Sequence, residues 1–386
     1  MQVMKDYKRL GDYIREVNVR NRELEVTDLL GLSMSKQFRP STSNIVGVDL
    51  SKYKIVNKNV FAFDPMSVIR VHKVPIAMNE TDSPIIVSPA YVTFECIDNE
   101  ILDSRYLMMW FQREEFDRYA DFKSDAAVRG GYDWAELCDT MVYIPSITRQ
   151  REIVAEYETL TRRISINEQM IQNLESTAQT LYRKMFVDGI DKENLPDGWI
   201  MGTLREFGNI ITGKTPSSDN PEDFGGKMPF VTPGDFTKYK KFAIGAERML
   251  SDIGIKRLKN KVLPKSSVIV TCIGSDMGKV AIASENCITN QQMNSIIVNF
   301  EEYSDYLFYT LFSMSKELKA MALGSSTMPL LNKSDFEQIG IIMPPFELLR
   351  EFSKLSYAGN NMVILKIKEN KKLAELQSLL LAKMGQ

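Results

Sequence analysis

Histidine is almost missing from this chain of 386 residues, with His72 standing alone. One imidazole cannot support repeated histidine-based proton transfer or a histidine-rich metal site, although carboxylates remain able to act. The four cysteines, Cys96, Cys138, Cys272 and Cys287, form no C-x-x-C pair. They read as small buried apolar side chains, and no metal site is expected. No apolar run approaches the roughly eighteen residues that would span a bilayer, and the opening MQVMKDYKRL lacks the apolar core of a secretion signal. A cytoplasmic location without a membrane partner is the expectation. No glycine-rich cofactor loop follows a strand, so a nucleotide-like cofactor has no evident seat. What the composition does supply, 44% hydrophobic and 25% charged residues, suffices for two cores of ordinary size.

A net charge of -2 argues against a generic nucleic-acid coat, but an average hides segregation. From Lys238 to Lys265 the chain carries Lys238, Lys240, Lys241, Arg248, Lys256, Arg257, Lys259, Lys261 and Lys265 against Glu247 and Asp252. Such a run is either a solvated face balanced elsewhere in the fold or an edge that tracks phosphates by displacing counterions. A weaker basic cluster, Lys5, Lys8, Arg9, Arg15, Arg20 and Arg22, opens the chain and is diluted by acids.

The longest clean periodicity runs from Ile147 to Phe186. Ile153, Tyr157, Leu160, Ile164, Asn167, Ile171, Leu174, Ala178, Leu181 and Met185 follow four-three spacing, the seam of a coiled coil, with no Pro or Gly between them. At ~1.5 Å per residue, roughly forty residues make a rod about 60 Å long, which needs a second rod to bury its stripe. The closing stretch from Phe346 is the natural partner through Phe352, Leu355, Met362, Leu373, Leu376, Leu380 and Met384. Gly359 and Lys366 fall on that stripe, so a break or bend is expected between Tyr357 and Asn361. Asn167 either fixes register against the partner helix or faces a gap or solvent.

An internal repeat with a period near 200 decides the architecture. WAELCDTMVYIPSITRQREI (Trp134 to Ile153) matches KSDFEQIGIIMPPFELLREF (Lys333 to Phe352), aligning Pro145 with Pro344, Arg151 with Arg350 and Glu152 with Glu351. In each, a short apolar strand stops at proline and a long helix begins. Leu10-Gly11-Asp12 corresponds loosely to Leu204-Arg205-Glu206, and VDGIDKENLPDGW (Val187 to Trp199) joins the halves. Strands are predicted at Lys54 to Phe63, Ile85 to Ile97, Val268 to Ile273, Val280 to Ala283 and Ser295 to Phe300. Helices are predicted near Tyr106 to Tyr119 and Tyr306 to Leu323. The fold class is α+β: two similar globular α/β domains, residues 1–145 and 188–345, separated by a pair of long antiparallel coiled-coil helices, 146–187 and 346–386, in a pseudo-twofold repeat.

Three apparent motifs fail in context. GNIITGKT (Gly208 to Thr215) has P-loop spacing, but Pro216 follows and no helix can present its N-terminus to phosphates. MPPF (Met343 to Phe346) has Met343 where an adenine methyltransferase needs a hydrogen-bonding side chain, and the repeat explains it as a strand stop. GSDMGK (Gly274 to Lys279) is one residue short of a P-loop and reads as a hairpin turn.

GKTPSSDNPEDFGGKMPFVTPGDF (Gly213 to Phe236), preceded by LPDGW, resembles the opening of a target recognition domain in the specificity subunits of type I restriction-modification systems. SPAYVTF (Ser88 to Phe94), YLMMWFQREEFDRY and IPSITRQREI in the first half are similar to the same family's other common form. The resemblance covers nearly the whole chain. It implies a subunit with no catalytic centre, whose two domains recognise the halves of a split target in double-stranded DNA. The paired helices would set the spacing and dock methyltransferase subunits, alongside restriction subunits. S-adenosylmethionine, ATP and Mg would then sit on those partners, with no cofactor in this chain. DNA contact is expected from Lys214, Thr215, Ser217, Ser218, Lys238, Lys240 and Lys241 in the second domain, and from Lys36, Arg39, Lys52 and Lys54 in the first. The rival readings are a catalytic methyltransferase or nuclease with a built-in recognition half, and a coiled-coil adaptor that never touches DNA.

Overall fold

The structure, a computed structural model, describes residues 7–41, 47–126, 132–323 and 331–385. Lys5 of the opening basic cluster lies outside them. The chain divides into two compact units, Met1–Ile164 with Lys372–Gln386, and Ser165–Lys371. Each is a mixture of helices with short, mostly antiparallel strands.

In the first unit a four-stranded sheet runs in the order Ile14–Glu16, Val92–Cys96, Phe61–Phe63, Ile76–Met78. Phe61 and Phe94 stack across it with ring centroids 4.8 Å apart, and Phe111 of the helix Ser104–Gln112 meets both rings edge-on. The strand expected from Lys54 to Phe63 is two strands in different sheets, because Asn59 turns the chain at φ 63°. The helix expected from Tyr106 to Tyr119 is likewise two, Ser104–Gln112 and Glu114–Ala126, parted where Arg113 is extended.

In the second unit five strands run in the order Gly208–Thr212, Met293–Val298, Val268–Thr271, Val280–Ala283, Phe242–Ala243, and three more in the order Arg248–Leu250, Phe224–Val231, Ile288–Thr289. Helices Tyr303–Ser313 and Ser315–Leu323 replace the single helix expected there. GSDMGK makes the connection between antiparallel strands Val268–Thr271 and Val280–Ala283. No helix follows the strand Gly208–Thr212 across Gly213 to Asn220, so the P-loop spacing has no P-loop geometry.

The repeat is visible bond by bond. Tyr7–Arg9 pairs with Met141–Tyr143 in one unit, and Ile200–Thr203 pairs with Gly340–Met343 in the other. Leu10 N donates to Thr140 O at 2.9 Å, and Leu204 N to Ile339 O at 3.1 Å. The Tyr106 hydroxyl donates to Tyr143 O, as the Tyr306 hydroxyl does to Ile342 O. Asp133 and Asn332 cap the helices Trp134–Asp139 and Lys333–Glu337 through their side chains, satisfying amides that the first turn leaves open.

The two long helices are Ile147–Phe186 (40 residues) and Phe346–Lys383 (38 residues). They run antiparallel within each unit. In the second, Asn167 meets Asn370 and Leu174 meets Gly359. In the first, Thr161 meets Gln377, while Ile153, Tyr157, Leu381 and Met384 join one core. On the first long helix Ile171 is buried, and Leu174, Leu181 and Met185 pack against the second unit's core, with Leu160 and Ile164 half-buried.

The second helix departs from expectation twice. It has no break between Tyr357 and Asn361. Gly359 faces Leu174, whose Cδ2 would lie 3.7 Å from a Cβ placed there, and Lys366 is held by Glu369 at 2.8 Å. Leu355, Met362 and Leu376 are not on the seam, being 56%, 40% and 48% exposed. The seam instead runs through Leu349, Phe352, Ser356, Val363, Ile367 and Asn370, then Gln377, Leu381 and Met384, with Leu373 and Leu380 half-buried. Polar residues on the buried face had shifted the apolar count onto a neighbouring face.

Candidate nucleic-acid interface

In the second unit, the strand Gly208–Thr212 delivers the chain onto the turn between Thr289 and Met293. Gly213 N donates to Met293 O at 3.1 Å and Lys214 N to Thr289 O at 2.9 Å. A Cβ on Gly213 would sit 2.1 Å from Asn290 O and 2.3 Å from Thr289 O, so glycine is required by close backbone approach. Thr215 Oγ1 and Gln291 Oε1 lie 2.5 Å apart, with the hydroxyl donating, which fixes the Gln291 amide at the tip of the turn. Lys214 and Ser218 are exposed, and Ser217 bonds Asp219 at 3.1 Å. Beside them Lys261 donates to Thr212 O at 2.9 Å. These residues form one polar, cationic surface.

The rest of the basic run lies in the same unit. Among the described residues only Lys241 and Arg257 of that run make ion pairs, Lys241 with Asp305 at 2.7 Å and Arg257 with Asp223 at 2.8 Å and Glu222 at 2.9 Å. The Arg257 pKa is raised by its bonds to Glu222 and Asp223. Asp235, a further buried acid of this unit, is occupied by Thr232 N, Thr232 Oγ1 and Glu247 N, each at 2.8 Å. Lys238, Lys240, Lys256, Lys259 and Lys265 are exposed, and Lys238 and Lys240 line a cleft of the second unit together with Glu168, Asp235, Glu247 and Lys371. Arg248 is also exposed, its guanidinium lying 3.7 Å from the Phe224 ring centroid.

Three of the predicted contacts are corrected by burial. Lys241 is 3% exposed and bonds Asn360 Oδ1 at 2.9 Å as well as Asp305, and burial lowers its pKa against the pull of that carboxylate. Lys36 is buried, with Nζ 2.8 Å from Asp117 and bonded to Phe111 O. Lys54 is buried in the strand Lys54–Val56, with Nζ 2.6 Å from Tyr91 O. Each spends its ammonium on the interior, so none offers it to a phosphate. Arg39 donates to Leu32 O and Pro40 O, which closes the Leu30–Leu32/Phe38–Pro40 hairpin on itself. Lys52 is exposed, 3.5 Å from Asp49. The first unit therefore gathers its predicted residues far less than the second.

Gln291 and Arg248 escaped notice as individual residues. The signal for Gln291 was the polar interruption TNQQ between apolar strands; for Arg248 no spacing distinguishes a stacked arginine from its neighbours in a basic run. Elsewhere Cys96, Cys272 and Cys287 are buried, their thiols pushed up to about 12 by burial, which leaves them protonated and inert. Among the described residues no cluster of His, Cys, Asp and Glu could hold a metal, and no helix is long and apolar enough to cross a membrane.

A two-unit α+β chain with two shared long helices is a known arrangement. The crystal structure of a type I restriction-modification system S subunit from M. genitalium superposes with a TM-score of 0.63 at 14% identity, covering 98% of this chain and 95% of that one. The fold is that of an S subunit. Residues 196–375 match the type I restriction modification DNA specificity domain. The type I restriction enzyme HindI specificity subunit of Haemophilus influenzae is 36% identical over 202 residues, 51% of this chain and 44% of that protein. The MjaIX specificity subunit of Methanocaldococcus jannaschii is 31% identical over 191 residues, 48% of this chain and 43% of that protein. The chain thus spans less than half the length of these two curated relatives, and it is related to the specificity subunits of type I restriction enzymes by domain and by fold.

Proposed function

We propose that this chain is the non-catalytic, sequence-specific DNA recognition subunit of a type I restriction-modification complex in the cytoplasm. Each unit recognises one half of a bipartite duplex target, and the chain docks methyltransferase and restriction subunits. The observation that carries this reading is that the matched specificity domain contains both the polar surface built on Gly213, Lys214 and Gln291 and the exposed lysines of the basic run. Lysines without carboxylate partners suit phosphate contacts that set register, while fixed amides suit base edges. The contacting residues are then Lys214, Thr215, Ser217, Ser218, Lys238 and Lys240, with Lys52 and Arg39 a sparser set in the first unit. S-adenosylmethionine, ATP and Mg belong to the partner subunits.

The long helices act in this reading as a spacer that counts unread base pairs. A helix of 40 residues measures about 60 Å, between one and two turns of B-DNA at ~34 Å each.

Methylome sequencing of the host with and without this gene tests the reading. A two-part methylated motif that disappears on deletion is expected. Its persistence would leave the coiled-coil adaptor as the better account. Exchanging residues 1–145 for those of a relative is expected to change one half of the motif only, and a change in both halves would contradict division of labour between the units.

A further inference from the structure

Arg248 lies on the edge strand Arg248–Leu250, paired to Phe224–Val231 in a register that sets Arg248 opposite Phe230. Its guanidinium is 3.7 Å from the Phe224 ring centroid and 5.7 Å from that of Phe230, and these two rings meet edge-on at 5.7 Å. Phe230 is itself anchored in a core with Leu250, Leu258 and Ile288. The cation therefore rests against a rigid aromatic wall. Despite this contact Arg248 is exposed and forms no ion pair among the described residues, although Arg257, on the next helix, takes both Glu222 and Asp223. A guanidinium held by its face keeps its N–H edge pointing outward in a fixed plane, and the rotamer entropy of ordering it is already spent. Phosphate contacts do not need that: exposed lysines such as Lys238, Lys256 and Lys259 suffice as point charges. A planar fork in a fixed orientation matches the adjacent O6 and N7 acceptors of guanine in the major groove.

We infer that Arg248, stacked on Phe224, is a specificity-determining residue that recognises a guanine in the half-site assigned to the second unit. This rests on the proposed DNA-recognition function. The ring contact makes Phe224 a positioning residue, since it fixes the plane of the fork without reaching the base.

The test uses the full chain assembled with the methyltransferase subunit of the proposed complex. The probes are duplexes carrying the methylated motif and every single base-pair substitution of it. Arg248→Lys keeps the charge and aliphatic stem but loses the fork; Arg248→Met keeps only the stem. Both are expected to reduce discrimination at one G·C position by about tenfold or more while leaving the ratios at all other positions unchanged. Phe224→Leu is expected to reduce the same ratio by a smaller factor and no other. Uniformly weaker binding with every ratio preserved would make Arg248 a phosphate contact and overturn the inference. Unchanged affinity and ratios in Arg248→Lys would make the stacking purely structural, with the same consequence. So would a second-unit half-site without a G·C pair. If no motif depends on the gene, the proposed function itself falls, a result distinct from all of these.

Discussion

Each unit hides a lysine–aspartate pair, but the two pairs fasten different things. In the first, Lys36 sits in the left-handed conformation (φ 59°) in the turn of the Leu30–Pro40 hairpin and reaches Asp117, which also accepts from Val74 N at 3.0 Å. That pair pins one loop to its own globular core. In the second, Lys241 closes the basic run and meets Asp305 of the helix Tyr303–Ser313, whose carboxylate also accepts from Ser356 and from Asn360 of the second long helix. There the charged surface is bolted to the helix pair through four side chains. Two halves that repeat in backbone therefore use this pair differently, one within a globular core and the other against the second long helix.

Removing one member of each pair is the strongest way to break that comparison. Asp305→Ala leaves a buried ammonium and strips Ser356 and Asn360 of their acceptor. The expected cost is about 3–5 kcal/mol in urea unfolding, with hydrogen-exchange protection lost in both residues 303–313 and 352–363. Asp117→Ala is expected to cost the same range or less and to deprotect residues 30–40 and 104–126 without touching the long helices. Loss of long-helix protection in Asp117→Ala would erase the distinction.

The next effect lies at a glycine. Gly213→Ala drives a methyl group into the carbonyls of Thr289 and Asn290, both backbone and unable to retreat cheaply. A cost of about 1–3 kcal/mol is expected from the forced shift. Duplex binding should fall with it, because Lys214, Thr215 and Gln291 are carried on the segments that move. The contrasting site in the first unit is Gly31 in its hairpin, where a Cβ would meet nothing closer than Ser41 Cα at 4.0 Å. Gly31→Ala is expected to stay within about 0.5 kcal/mol of the parent by thermal melting.

Smaller still is the difference between the polar contacts on the two stretches of helix pair. Asn167 is fully buried and donates to Asn370 at 2.8 Å, whereas Thr161 and Gln377 meet near solvent at 2.7 Å. Asn167→Ala is expected to cost about 1 kcal/mol, and Thr161→Val almost nothing. Asn167→Leu combined with Asn370→Leu should raise the melting temperature, since the buried Asn167 Oδ1 has no partner to lose.

The repeat, the long helices and the strand-proline-helix joints were legible because each is written locally, in period and in breakers: Pro145 and Pro345 stand where helices must start, and the matched Leu10 and Leu204 anchor equivalent bonds. Two kinds of information were not. Counting apolar residues put Leu355, Met362 and Leu376 on the seam because Ser356, buried, and Asn370, half-buried, sit there through partners supplied by other segments. Lys36, Lys54 and Lys241 looked like surface cations because their acceptors, Asp117, Tyr91 O and Asp305, lie far along the chain. A lysine's sequence neighbours do not tell whether its ammonium ends in water or against a carboxylate. The candidate surface survived this because Gly213, Lys214 and Thr215 form a contiguous loop whose polarity is local.

The last contrast is one of pH. Glu175 of the first long helix lies beside Lys240 and Lys241, with one carboxylate oxygen buried and without a hydrogen-bond partner, and burial raises its pKa although both lysines and the Lys241 amide pull it down. A carboxyl whose folded pKa exceeds its unfolded value binds more protons folded than unfolded. Its contribution therefore favours folding at acid pH and is lost as pH rises from the ordinary carboxylate range through the raised folded value. Glu175→Gln removes that slope. The variant is expected to melt slightly above the parent at neutral pH, with the gap closing below the ordinary carboxylate pKa, where the parent carries its proton in both states. A gap that instead widened on acidification would mean that the ionised Glu175 stabilises the lysines beside it, and that the second unit's junction is held by charge attraction more than it is strained by burial.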